Sequence, residues 1–156
     1  MAYPERINWL LESRALVEQS FDDSDIVNLW NKAMAKAADA RISGLSLDGA
    51  IESAYIAVLN ACFALLAQQG LKTTSARQHH ENTFAGINAF SLPGLEELMP
   101  QSNRIRSLRS SATYDHDMAT TSERDEALQL AKNTLPILHS TLIQWNPGIA
   151  TKLHAP

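Results

Sequence analysis

Apolar residues recur at steps of three and four along most of the chain, the spacing of helices with one buried side. From Glu5 to about Gln19, Ile7, Leu10, Leu11 and Val17 follow it, and Phe21-Asp-Asp-Ser supplies a turn and an N-cap for the next element. Between Asp25 and Ile42 the positions Ile26, Trp30, Ala33, Ala37 and Ala40 predict a second helix. Gly44 stops it, and Ser46 is placed to cap a third helix with Leu45 as a hydrophobic staple. That helix, to Gln69, carries Ala50, Ala54, Tyr55, Ala57, Val58, Ala61, Cys62, Leu65 and Leu66, an apolar surface too wide for a solvated helix. It is the expected centre of the core.

After Gly70, the Thr73-Thr74-Ser75 run is placed to cap a helix to about Phe90 with Phe84, Ala85 and Ile87 inward. Ser91 and Pro93 mark a new start with Leu95, Leu98 and Met99, interrupted at Pro100. A last long helix, from about Glu123 to Gln144, places Leu128, Ala131, Leu135, Leu138, Leu142 and Trp145 on one seam. Thr120 with Glu123, or Ser122 with Asp125, forms its capping box, and Pro136 is expected to bend it. No segment alternates with period two for long enough to predict a strand. The expectation is a single all-α domain over residues 1–156, an up-and-down helical bundle of five to six helices with a loose tail over about 146–156.

Composition agrees with one packed domain: of 156 residues, 45% are apolar and 19% charged. The formal net charge of -4 gives no global pull toward nucleic acid or an anionic membrane, so any polyanion site must be local. The longest apolar run, Ala54 to Ala67, is broken by Asn60 and is shorter than the roughly 20 residues of a bilayer span. With Glu5 and Arg6 ahead of Ile7 and no secretory h-region, a cytoplasmic protein with no membrane partner is expected. The one cysteine, Cys62, excludes an internal disulfide and reads as a buried hydrophobe.

One stretch departs from this acidic background. No acidic residue lies between Glu97 and Asp115, whereas Arg104, Arg106 and Arg109 do. On a helix Arg106 and Arg109 share a face on which two guanidinium forks hold a phosphate; alternatively the arginines pair with Glu96, Glu97 and Asp115. Six residues separate Arg109 from His116. An imidazole moves protons near neutral pH and an arginine stabilises charge developing on phosphorus, a pair suited to metal-free cleavage of RNA by its own 2′-hydroxyl.

Four pieces of the chain, in order, resemble the HEPN superfamily of helical domains. They are Trp30-Asn-Lys-Ala33 with Ala38-Asp39-Ala40; Leu45-Ser46 with Ala54-Tyr55-Ile56-Ala57 and the small-residue helix to Gly70; His79-His80; and Arg106-Ser-Leu-Arg109 with Ala112-Thr-Tyr-Asp115, followed by Glu126-Ala127 and Ala131. The resemblance covers about residues 25–143. It implies a homodimeric bundle that needs no cofactor or metal, and in many members an endoribonuclease acting as a toxin or in phage defence, with a nucleotidyltransferase-like antitoxin as partner. The family's arginine, polar residue and later histidine match Arg109, Ser110 and His116, which makes Arg109 and His116 the candidate catalytic pair. Arg104, Arg106, Ser110, Tyr114, Asp115, His79 and His80 are candidates to bind RNA or support the pair. The branch that the chain most resembles reads tyrosine-aspartate, often without this histidine. The same resemblance therefore also implies a second reading, a non-catalytic HEPN-like module that binds a protein partner or a nucleotide. A purely structural bundle is the third.

His79 and His80 point about 100° apart on a helix, which disfavours a shared metal and suits capping or packing against the Arg109 region. His139, beside the apolar seam, and His154, in the tail, have no partner visible in the sequence. Trp9, Trp30 and Trp145 all sit where core packing is expected.

Overall fold

The computed structural model describes residues 2–74, 79–95, 104, 107 and 118–156. It is an all-α bundle with one small two-stranded sheet. In chain order the elements are α1 (Glu5–Glu12), β1 (Leu16–Glu18), α2 (Asp23–Ala40), α3 (Leu47–Gln68), β2 (Leu71–Thr73), α4 (His79–Asn88), α5 (Thr121–Trp145) and a closing 3-10 turn (Pro147–Lys152).

The helix starts follow local chemistry. Asp22 accepts from the Asp25 backbone N–H while Asp25 accepts from that of Asp22, a reciprocal capping box. The Ser46 hydroxyl accepts from Gly49 N–H, and Thr120 and Glu123 repeat the box at α5, which decides between the two caps that the sequence allows there. α3 is the central helix: Ala54, Ala57, Ala61 and Ala64 are all buried, and their small side chains let α2 and α5 approach its backbone. At 22 residues α3 is also apolar enough to cross a membrane by length and composition, but 72% of that window is covered by the bundle. Cys62 lies within it, and burial pushes its thiol up to about 12.

Three hydrogen bonds fix the helix directions. Asp48 at the start of α3 accepts from Ala119 N–H just before α5, and Asn146 just after α5 donates to Gln68 at the end of α3. α3 and α5 therefore run the same way. Asn146 also reaches Asp23, so α2 begins at the end of the bundle where α3 finishes and runs antiparallel to it. β2 carries the chain back along α3, so α4 begins beside Tyr55.

Some expectations need correction. The first helix stops at Glu12, because Arg14 takes a left-handed φ of 60° and the next residues pair as β1 with β2, Leu16 opposite Thr73 and Glu18 opposite Leu71. Three residues are too few for a period-two pattern to show. Thr73 and Thr74 do not cap α4: Thr73 is buried in β2 with its hydroxyl 3.0 Å from that of Thr83, and Thr74 bonds the Arg14 carbonyl. Trp9 is 63% exposed rather than packed.

The tail is docked, not loose. Ile149 and Leu153 are buried, Trp30 Nε1 donates to the His154 carbonyl at 2.9 Å, and Asn31 bonds both the Lys152 carbonyl and the His154 N–H. His139 lies against this seam, its ring 5.3 Å from that of Trp30, with Nε2 covered and lacking a hydrogen-bond partner among the described residues. Desolvation lowers its pKa from 6.5. The unfolded chain thus binds the proton first as pH falls, and the stability present above pH 6.5 is lost through the depressed folded pKa. We expect urea midpoints to fall on acidification below that value, and His139→Leu to remove part of the fall; an unchanged pH dependence in the variant would refute this role.

Candidate functional site

α4 and α5 both pack on α3, and the cationic stretch of the sequence lies in the connection between them. Arg104 is helical and exposed. Its guanidinium makes a two-pronged contact with Glu126 in α5, Nε to Oε1 at 2.9 Å and Nη2 to Oε2 at 3.3 Å. This hydrogen bonding keeps the Glu126 carboxyl below its usual range and raises the arginine. Both partners are 40–50% exposed, so the pair contributes at most about 1 kcal/mol. Its consequence is positional, since a guanidinium fork spent on a carboxylate is not presented to a phosphate. On the other side of the connection, Ala119 N–H bonds Asp48 at the start of α3. Met118, next to it, is 85% exposed.

Arg106, Arg109, Ser110, Tyr114, Asp115 and His116 lie outside the described residues. Of the other candidates, the structure gives His80 a specific partner. Tyr55 is fully buried on α3, and its hydroxyl is 2.8 Å from His80 Nδ1. Phe84 packs edge-on to the same tyrosine, and the His79 and His80 rings are 4.1 Å apart. His80 is thus oriented by α3 through a part-buried contact; the packing on the Arg109 region expected of one of the two histidines involves residues outside the described ones. His79 diverges from it to line a groove beside the sheet, as their angular separation on a helix requires. The described residues contain no group of three or more histidine, cysteine, aspartate or glutamate side chains that could hold a metal ion.

Sequence reasoning did not find Tyr55 as the partner of His80, nor Glu126 as that of Arg104. They are 25 and 22 residues apart, and neither pair leaves a short-range pattern. A tyrosine on the helix expected to form the centre of the core was the available signal, because a buried hydroxyl requires a partner.

The chain matches no protein-family model, and neither a curated protein nor a solved structure matches it.

Proposed function

We propose that the protein is a HEPN-type, metal-independent endoribonuclease that acts as a homodimer, a toxin or phage-defence component with a nucleotidyltransferase-like antitoxin as its partner. His116 exchanges protons with the ribose hydroxyl or the leaving oxygen, and Arg109, assisted by Arg106, stabilises the phosphate charge. Tyr114, Asp115 and Ser110 support the pair. The observation that carries this reading is the fastening of the cationic connection on both sides. Arg104 is bound to Glu126 and Ala119 to Asp48, and the sequence between these two fastened residues carries Arg109 and His116.

The test is cleavage of RNA in the presence of EDTA, together with growth on expression, for wild type, Arg109→Ala and His116→Ala. Wild type cleaves and inhibits growth, and each variant loses both. Activity that survives both substitutions removes the assignment. The Arg104–Glu126 pair also favours the second reading, in which the arginines brace a non-catalytic module that binds a protein or a nucleotide. That reading predicts full partner binding with no RNA cleavage.

A further inference from the structure

Between the two-stranded sheet and the faces of α2 and α3 lies a groove of 610 Å³, within the range of about 300–1,000 Å³ usual for small-ligand sites. Its wall is apolar, built from Phe21, Leu29 of α2, and Phe63 and Leu66 of α3. Val17 and Lys72 form its rim. They are directly opposite in the β1–β2 ladder, so their side chains stand on one face of the sheet, and Val17 is 39% exposed there. No aspartate or glutamate is among the described residues that line it, although the chain as a whole is acidic; the ionisable groups are Lys72 and His79. Glu18, the neighbouring carboxylate, is not among the residues that line the groove and lies close enough to Tyr3 to raise the pKa of its hydroxyl.

An aliphatic and aromatic wall with a cationic rim selects for a molecule with an apolar body and one negative end. We infer that this groove binds a small amphipathic carboxylate, its alkyl or aromatic body against Phe63 and Leu66 and its carboxylate at Lys72 and His79. A neutral molecule of the same body gains the apolar contact alone, and a free inorganic anion gains only an exposed charge contact. The site uses none of Arg109, His116 or Arg104, and it takes His79, a candidate support of that pair in the sequence, for the groove instead.

Calorimetric titration of the full chain with decanoate, decanol and acetate tests this. Decanoate should bind one-to-one and saturably, acetate should not, and decanol should bind more weakly than decanoate. Lys72→Glu, an exposed position that the fold tolerates, should weaken decanoate about tenfold by turning attraction into repulsion while leaving decanol within about twofold. Val17→Glu, opposite it on the rim, should act in the same direction, and Lys152→Glu, at the tail, should change nothing. Absence of saturable decanoate binding, or an affinity unaffected by both rim substitutions in variants with wild-type helical content, overturns the inference.

Discussion

Trp30→Ala should lower the unfolding free energy by about 3–5 kcal/mol and release the C-terminal segment. The indole is fully buried, and it is one of the largest side chains in the core to be so. It belongs to α2, packs at a tilt against the His139 ring of α5, and donates Nε1 to the His154 carbonyl, so one residue ties two helices and the tail together. Removing it leaves a cavity and an unpaired carbonyl, while Asn31 alone retains its two bonds to the tail. Trp30→Phe keeps most of the volume and loses the hydrogen bond, so a cost of about 1–3 kcal/mol is expected. Urea unfolding measures both, and hydrogen exchange at residues 149–154 should accelerate in the alanine variant. A loss below about 1 kcal/mol for Trp30→Ala would contradict the packing described.

This tail shows where the sequence stops being informative. Asp22 with Asp25, Ser46 with Gly49 and Thr120 with Glu123 each act within four residues, so their side-chain types announce helix starts in the linear sequence. α3 was legible for another reason: its apolar residues surround the helix, as only a central position permits. By contrast, Trp30 and His154 are 124 residues apart, and the Gly, Pro and small residues of the tail resemble those of an unattached end. β1 was hidden because Leu16-Val-Glu18 continues a helical spacing until Arg14 breaks the helix ahead of it, and its partner strand lies far along the chain.

The candidate site was legible as chemistry more than as contacts. A run of three arginines without acidic neighbours is visible as composition, and the spacing of Arg109 and His116 as a motif. Which of those arginines is already engaged was not visible, because Glu126 lies in the next long helix. Glu96, Glu97 and Asp115, the partners that the sequence offers, lie outside the described residues, as do Arg106 and Arg109.

The second large effect is on catalysis. On the proposed mechanism His116→Ala removes the proton-transfer group and should slow RNA cleavage by about 10²–10⁴-fold. On the same proposal Arg109→Ala removes the charge that stabilises the phosphorane-like transition state and should cost a comparable factor of about 10²–10³. Because both groups act on the same step, the double variant should be little worse than the poorer single one. Side chains that act on RNA alone leave thermal midpoints close to wild type when removed, and a large drop would point to a structural role instead.

The nature of the ends left on a cleaved RNA tests the proposed chemistry most directly. Attack by the 2′-hydroxyl, with proton transfer by His116, leaves a 2′,3′-cyclic phosphate on one fragment and a 5′-hydroxyl on the other, and does so in EDTA. These ends, found with wild type and lost with His116→Ala, are the result expected. RNA that remains intact, or is cut only with added metal to give 3′-hydroxyl and 5′-phosphate ends, would contradict it.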